Sequence, residues 1–480
     1  MTPMRFRRFA TFALVMALST GMLLPPAPAQ ALFESLSIKD EKKMGREFDA
    51  MIRAKMGVVG DPLIDSYVKG IVDKIVAAKR PMPFTIKSAV LANNSLNAFA
   101  IPGGYIYVFT GLIASAETES ELAGVIAHEL GHVSERHMAR RLEKSKFVGI
   151  ASMVGAVAGI FLGIAGGGDS AGKLGQALVM GSQAGAQQAM LNYSRSDERD
   201  ADHVGMNSMV EAGYNPNGMP QMFEIMQKKK WFSGGGDIPS YLSTHPGLAE
   251  RIGYLKGRIK RMPERFTQRK DDNTRLRRVQ AIILAKLTPA DAALGKYKSK
   301  PESEYTALDF MGRGIVLLRL KRTREAEQWM EKALAANDDD PLVLREAGRF
   351  YYKTGQTAKA GMLLQKAVFK DPKDALALFY LSLLQAENGD YNRAIPTMRK
   401  VLAAVPEDAE VHYYLGKILG ESGDDFGGYL HLGYSELYLL HPRKARAHAA
   451  KAQSLAKSEE DKEKVEKLKE LIQKKTQKGS

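Results

Sequence analysis

The chain has 480 residues, of which 45% are hydrophobic and 26% charged, and its formal net charge is +15. These proportions are typical of folded protein in two or three domains, and they argue against wholesale disorder, collagen and a polytopic membrane protein. The sequence has no cysteine, which excludes disulfides, cysteine-ligated zinc, iron–sulfur clusters and thiol nucleophiles.

The first 31 residues have the three parts of a secretory signal peptide. They consist of a basic start at Arg5, Arg7 and Arg8, an apolar run over 9–24 and small residues near Ala29–Ala31 that suit cleavage. An uncleaved membrane anchor is the alternative interpretation. In both cases we expect export. Outside the cytoplasm the positive charge is poorly explained by nucleic-acid binding; peripheral contact with an anionic membrane and simple solubility are the two interpretations.

The residue pattern of 32–262 predicts an α+β domain that is mostly helical and contains a small sheet. Apolar residues at helical spacing run through 41–57 and 62–78. β-Branched and aromatic residues then dominate 84–91, 98–101 and 105–109, which predicts three strands. Residues 263–306 are rich in charge and predict a helical linker with one helix near Leu276–Leu287.

A capped helix with a metal-binding motif is predicted just after these strands. Thr118 and Glu121 have the spacing of a capping box, and apolar residues follow at helical spacing. Within this helix His128, Glu129 and His132 form an HExxH motif. The two histidines lie four residues apart on one helical face, so both can reach one Zn²⁺, and Glu129 is placed to act on water.

A catalytic zinc site needs a third protein ligand. His137 follows His132 by five residues and does not fit the metzincin spacing, so we expect it to be a surface or cap residue. Glu198 and Asp202 are four residues apart and share a face of a predicted helix. One of these two carboxylates could bind the metal while the other orients a ligand imidazole.

The uncharged segment 147–165 lies between the two halves of this predicted site and is long enough to cross a membrane. It is rich in glycine, however, and both halves of one metal site must lie on the same side of a membrane. A buried helical hairpin or a lid over the cleft is therefore favoured, with contact at the membrane surface as the alternative and a spanning helix as the third interpretation.

A repeat of 34 residues occupies the last third of the chain. Small residues recur at this spacing, and large residues recur in phase with them: Gly314, Gly348, Ser382 and Gly416; Met330, Leu364, Met398 and Leu432. The pattern resembles the tetratricopeptide repeat (TPR) and predicts about four copies within 307–450, in an all-α solenoid whose concave surface binds protein segments. Residues 451–480 predict a charged, solvated helical tail.

The metal-binding motifs together resemble a known family. HELGH at 128–132, followed by SRSDERDAD at 194–202, is similar to the zinc peptidase family that includes the CAAX prenyl proteases and HtpX. The strand-rich NAFAIPGGYIYVFTGLI before the metal helix resembles that family's active-site-edge strand. The resemblance implies a zincin-like fold for this domain and a catalytic Zn²⁺, one per chain.

The resemblance also implies roles for individual residues. It implies that the three zinc ligands are His128, His132 and Glu198. It further implies that Glu129 is the general base and that Asp202 supports the ligands. His245, in the Ser-Thr-His-Pro run, is implied to lie beside the metal. There it either assists the transition state as a catalytic residue or occupies the open coordination position.

With its export signal and its repeats, the chain resembles periplasmic members of that family. The resemblance implies a periplasmic zinc endopeptidase that degrades misfolded or misassembled outer-membrane β-barrel proteins and aids their assembly. The TPR repeats would then dock the clients or the outer-membrane assembly machinery. The alternative is a TPR-based periplasmic chaperone or assembly factor with a largely latent metal site, and an intramembrane prenyl-type protease is disfavoured because several apolar spans are lacking.

Overall fold

The structure is a computed structural model, and it describes residues 36–78, 81–144, 193–232, 241 and 244–476. The predicted signal peptide and the segment 147–165 lie outside these residues. Among the helices of the described segments, none is both long and apolar enough to cross a membrane.

In the described part of the chain before the sheet there are two helices, and each begins after a residue that caps it. Helix α1 (Ile38–Lys55) starts after Ser37, whose side chain accepts a hydrogen bond from the backbone of Asp40 in a capping box. Helix α2 (Pro62–Ala77) starts after Asp61, whose carboxylate accepts from the Leu63 amide. Both helices bury an apolar face.

The sheet has three strands, β1 (Lys87–Leu91), β2 (Ala98–Ile101) and β3 (Tyr105–Phe109). Strand β3 is central: it pairs in parallel with β1 and antiparallel with β2, which leaves β2 at an edge. β2 and β3 have the predicted bounds. β1 begins three residues later than predicted, because the first residue of its partner β3, Tyr105, lies opposite Lys87.

In the described residues between 110 and 259, six helices carry or contact the metal-binding motifs. They are α3 (Thr110–Ser115), α4 (Glu119–Ser134), α5 (His137–Lys144), α6 (Arg195–Glu211), α7 (Gly218–Phe232) and α8 (Leu248–Ile259). Helix α4 is buried along almost its whole length and packs against α6, α7 and β2. The HExxH helix is thus the centre of this domain.

The connecting region is helical. It contains the short α9 (Glu264–Thr267), α10 (Thr274–Ile282) with a π-helical turn over Ile283–Leu287, and α11 (Ala290–Ser299). The helix predicted near Leu276–Leu287 is confirmed. The second long helix, α11, was not predicted; it buries Ala293, Leu294 and Tyr297.

The repeats form five consecutive helix pairs in the described part of the chain. These pairs are α12 (Ala307–Arg319) with α13 (Thr323–Ala336), α14 (Pro341–Lys353) with α15 (Thr357–Lys370), α16 (Ala375–Glu387) with α17 (Tyr391–Ala404), α18 (Ala409–Glu421) with α19 (Asp425–Tyr438), and α20 (Pro442–Leu455) with α21 (Glu459–Thr476). A Cβ on Gly348 would lie 2.7 Å from the Leu364 side chain, which explains the small residue at this repeat position. The predicted fold class, an α+β domain followed by an all-α solenoid, is confirmed.

The charged end of the chain is not solvated on every side, contrary to expectation. Val465, Leu468 and Ile472 on α21 are buried in a cluster with residues of α19 and α20. Their spacing of three and four residues gives α21 one apolar stripe, and lysine and glutamate cover the remaining faces.

Candidate metal centre

Helix α4 brings the two motif histidines to one buried point. The predicted capping box is present, with Thr118 and Glu121 bonding each other's backbone amides, so the helix register is fixed at its start. His128 and His132 lie one turn apart, and their Nε2 atoms are 3.0 Å from each other. Both rings are almost fully buried.

Helix α6 supplies the carboxylates. Ser194 caps it in a second capping box with Asp197. One oxygen of Glu198 lies 3.5 Å from Nε2 of His128 and the other lies 3.4 Å from Nε2 of His132. Asp202, one turn further along, reaches the opposite side of the His128 ring, where its Oδ1 is 2.8 Å from Nδ1.

His245 completes the cluster from a different part of the chain. Its Nδ1 is 2.9 Å from Oε1 of Glu198 and 3.3 Å from Nε2 of His128. One ligand atom from each of His128, His132, Glu198 and His245 lies within 4.8 Å of the others, and all four residues are buried. The structure thus brings together every residue that the sequence assigned to the site.

This donor set fits Zn²⁺. Because Asp202 accepts a hydrogen bond from Nδ1 of His128, the Nε2 atom of that ring presents a lone pair toward His132 and Glu198. Burial lowers the pKa of both motif histidines, which keeps them neutral as metal ligands must be. Neutral imidazoles and one carboxylate that converge on a single point match the ligands of a zinc site.

Glu129 is buried against this cluster. Nε2 of His245 is 3.5 Å from its Oε1, and His245 and the Ala100 backbone favour its ionised form. Burial raises the pKa of Glu129 to about 7. A carboxylate in this state can take up and release a proton near neutral pH.

Arg251 is a functional residue that the sequence analysis missed. Its Nε and Nη2 donate to the two oxygens of Asp202 at 2.8 and 2.6 Å, and its Nη1 donates to Glu198. Although burial alone raises the pKa of both carboxyls, Arg251 and the histidines hold these pKa values below their usual range. Its sequence position could have indicated this role. Arg251 lies three residues after Leu248 and one before Ile252, on the apolar face of α8, and a charged side chain buried there needs partners of opposite charge.

His137 is buried, so of the two alternatives, a surface or a cap residue, the surface position was wrong. It is the first residue of α5 and is fully buried, with its Nδ1 2.8 Å from Nδ1 of His132. Its Nε2 faces Oδ1 of Asp197 at 3.6 Å. The chain turns sharply at Arg136, which has a φ of 52°. This turn places His137 beside His132 of α4.

Aromatic rings cover the exposed edges of the ligands. Tyr193 stacks on His132 with ring centroids 3.8 Å apart, and Tyr241 stacks on His245 at 4.2 Å. A small space of about 20 Å³ lies between His132, Tyr193 and the end of β2. This volume is large enough for about one water molecule.

Comparisons with known proteins agree with this site. Residues 62–259 match peptidase family M48, and residues 345–409 and 381–424 match the tetratricopeptide repeat. The match to M48 covers α2 to α8 and includes the whole cluster. The chain therefore carries an M48 metallopeptidase domain followed by TPR repeats, and the metal of this domain is Zn²⁺.

Three curated relatives show how far the similarity extends. An Escherichia coli K12 protein named beta-barrel assembly-enhancing protease is 27% identical over 358 residues, which are 71% of this chain and 68% of that protein. A Vibrio cholerae protein is 29% identical over 314 residues, 65% of this chain and 63% of that protein. The mitochondrial metalloendopeptidase OMA1 of Schizosaccharomyces pombe is 28% identical over 233 residues, 47% of this chain and 63% of that protein. The chain thus spans just under two thirds of the length of the Vibrio cholerae and Schizosaccharomyces pombe relatives.

Proposed function

We propose that this protein is a periplasmic zinc endopeptidase that cleaves misfolded or misassembled outer-membrane β-barrel proteins and aids their assembly. The observation that carries the proposal is the buried Glu129 beside the cluster of His128, His132, Glu198 and His245. The name of the Escherichia coli relative supports the class of substrate. The signal-peptide pattern in the first 31 residues supports export.

The residues of the site divide the chemistry between them. Zinc, when held by His128, His132 and Glu198, supplies a Lewis acid that acidifies water and polarises a peptide carbonyl. Glu129 would take the proton from the attacking water and pass it to the leaving amine. Asp202 holds His128 in the tautomer whose Nε2 is free for the metal, and Arg251 keeps Glu198 ionised.

Substrate is proposed to bind as an added strand at the edge of the sheet. Strand β2 lies at that edge and packs on α4, the helix that carries Glu129. An extended segment beside β2 would bind through backbone hydrogen bonds, which need little sequence specificity. Unfolded segments with strand-forming sequences, such as those of an unassembled β-barrel, meet this requirement.

The position of His245 favours a latent resting state. His245 contributes a ligand atom to the buried cluster that it forms with His128, His132 and Glu198. A fourth protein ligand would occupy the coordination position that water needs in a catalytic zinc site. His245 would hold this position at rest, and peptide cleavage would then require it to move. The second candidate function, a TPR-based chaperone with a mostly closed metal site, rests on the same observation.

Zinc content and cleavage by three variants test the proposal. The purified protein is expected to hold about one zinc per chain, Glu198→Ala to lose it, and Glu129→Gln to keep it. Cleavage of an unfolded outer-membrane β-barrel protein should be lost in Glu129→Gln and kept in Glu135→Gln, a matched change at the end of the same helix. A protein without zinc, even after zinc is supplied, would overturn the peptidase function.

Two further measurements separate the latent protease from the chaperone. His245→Ala is expected to raise the rate of cleavage if this residue closes the site at rest. Cells that produce Glu129→Gln instead of the parent should lose all function if proteolysis is the activity. Outer-membrane assembly that is retained by Glu129→Gln would favour the chaperone.

A further inference from the structure

The turn between α19 and α20, residues 439–441, exposes two consecutive leucines and is called the leucine turn below. Leu439 is 51% exposed and Leu440 is 71% exposed. Five large apolar side chains are exposed among the described residues, and only these two are adjacent in the sequence. Single exposed apolar side chains are common on protein surfaces, but two in succession at the end of a helical hairpin form an apolar tip.

Leu440 has a backbone conformation that favours glycine. Its φ is 61°, in the left-handed region, where a bulky side chain is strained. Its amide donates to the Leu437 carbonyl and the His441 amide donates to the Glu436 carbonyl, which is the hydrogen-bond pattern of the turns inside the first four helix pairs. Lys321 takes the left-handed position in the first of those turns, and glycine takes it in the other three: Gly355, Gly389 and Gly423. Glycine would relieve the strain in the leucine turn as well, yet the chain has an exposed leucine there.

Basic residues follow the leucine turn directly. Helix α20 has four basic residues and no acidic one: Arg443, Lys444, Arg446 and Lys451. Two of them, Arg443 and Lys444, lie in its first turn. They do not stabilise the helix, because the first turn of a helix favours negative charge. Their positive charge is therefore available to a partner outside the chain.

The last turn of α21, which contains Lys474 and Lys475, ends beside the leucine turn. Nζ of Lys475 lies 4.5 Å from the centre of the ring of Tyr438, the residue before the two leucines. Three acidic side chains each lie within 4 Å of one lysine in this region: Glu436 is 3.7 Å from Lys444, Glu470 is 3.5 Å from Lys474 and Glu407 is 3.9 Å from Lys475. Arg443 is exposed and belongs to none of these three pairs. The surface around the two leucines thus has positive charge in excess.

From this arrangement we infer that the leucine turn inserts into the surface of an anionic phospholipid bilayer. Leu439 and Leu440 would enter the boundary between head groups and acyl chains, and the basic residues of α20 and α21 would bind lipid phosphates. A projecting apolar tip needs no complementary pocket in a bilayer, whereas a folded protein partner would have to supply one. Transfer of the two leucines from water into lipid is favourable, which offsets the strain at Leu440.

This inference goes beyond the proposed function and does not depend on it. The leucine turn belongs to the last helix pairs of the solenoid and shares no residue with the metal-binding cluster. Peripheral membrane contact is one of the two interpretations of the net charge of +15, and the inference assigns that contact to one part of the chain.

Co-sedimentation with vesicles tests the leucine turn directly. The protein is prepared without residues 1–31, because the apolar run over 9–24 would itself bind lipid. It should bind vesicles of two parts phosphatidylcholine and one part phosphatidylglycerol at least tenfold more tightly than vesicles of phosphatidylcholine alone, and added salt should weaken this binding. Leu440→Gly should weaken it at least fivefold, while the thermal midpoint stays at or above that of the parent because glycine removes the strain. A purely structural role for Leu440 would instead lower the midpoint.

Matched variants separate the leucine turn from the rest of the surface. Leu439→Ser should also weaken vesicle binding at least fivefold, whereas Phe369→Ser, which removes an apolar side chain of α15 that is 81% exposed, should leave the affinity within twofold. Arg443→Glu should weaken binding at least fivefold, and Arg393→Glu, the same charge change in the first turn of α17, should leave it within twofold.

Two results would overturn the inference. One is the absence of binding to the anionic vesicles, which would leave a protein as the better partner for this surface. The other is binding that neither Leu440→Gly nor Arg443→Glu weakens, which would place the membrane contact elsewhere in the chain. Vesicle binding is measured without a peptide substrate, so neither result depends on whether the M48 domain is an active peptidase.

Discussion

Gly131 on α4 lies so close to Ala201 on α6 that a Cβ on the glycine would be 2.6 Å from the Ala201 carbonyl oxygen. Gly205 on α6 makes a similar close contact with α4, since a Cβ added to it would be 2.7 Å from the carbonyl oxygen of Ala127. The two helices that carry the proposed zinc ligands therefore touch backbone to backbone. This contact sets the distance between the HExxH histidines and Glu198.

Gly131→Ala is expected to weaken zinc binding without a change in any ligand. The added methyl group must push α4 and α6 apart, which costs about 1–3 kcal/mol of stability and moves Glu198 away from the histidines. Zinc affinity by competition with a chelator, and the thermal midpoint, are the measurements. Gly257→Ala on α8, where a Cβ would meet no atom within 4 Å, is the matched control and should leave both values at or above those of the parent. Parental zinc affinity in Gly131→Ala would contradict the role of this contact.

Arg251→Leu is expected to destabilise the metal-free protein. The change leaves Glu198 and Asp202 buried without the cation that holds them ionised, and loss of one partner from a buried ion pair costs about 3–5 kcal/mol. Zinc should restore part of this stability, because it supplies positive charge next to Glu198. Thermal unfolding with and without zinc measures both effects. Arg258→Leu, at a half-exposed position on the same helix, is the control, and an unchanged midpoint of metal-free Arg251→Leu would show that the network is dispensable.

His137→Phe is expected to lower zinc affinity by about 10–100-fold, the usual effect of losing a residue that orients a metal ligand. Nδ1 of His137 accepts the hydrogen bond from Nδ1 of His132 at 2.8 Å, so that Nε2 of His132 is left free for the metal. His137→Asn should restore much of the affinity because its side-chain oxygen can accept the same bond. His203→Phe, at an exposed position on α6, is the control. Equal zinc affinities in the Phe and Asn variants would reduce His137 to a packing residue.

The solenoid is expected to lose stability as the pH falls below about 6.5. Nε2 of His412 donates to the Pro406 carbonyl, so its Nδ1 must accept from Nδ1 of His431, 2.9 Å away, and both rings are neutral. Burial, with His412 and Arg399 nearby, lowers the pKa of His431 to about 3, whereas an unfolded histidine titrates near 6.5. The unfolded chain thus binds more protons than the folded one between these values, and acid favours unfolding by up to about 1.4 kcal/mol per pH unit.

His431→Gln tests this pH dependence. The thermal midpoint of the variant should fall less steeply than that of the parent between pH 6.5 and pH 4.5, because one histidine no longer gains a proton on unfolding. His203→Gln, which changes an exposed histidine, should follow the parent curve. Parallel curves for His431→Gln and the parent would contradict the prediction.

The sequence by itself determined the local features of this protein. These features depend on interactions between residues close together in the chain, so residue types and spacing predict them. They are the HExxH motif, the capping box at Thr118 and the strands at 98–101 and 105–109. The sequence also predicted the 34-residue repeat, because small and large residues recur in phase wherever helices pack in the same way. The assignment of Glu198 needed the resemblance to a family as well, since spacing alone left Glu198 and Asp202 equivalent.

Only the tertiary structure decided which residues meet across long separations in the chain. Arg251 lies 49 residues beyond Asp202, and nothing local to it names its partner. His137 has an unremarkable sequence position, yet the turn at Arg136 places it under His132. The same holds for the charged end, where the apolar stripe of α21 is covered by helices that precede it. Such contacts depend on how helices pack, and packing is decided by the summed burial of many side chains rather than by any one spacing.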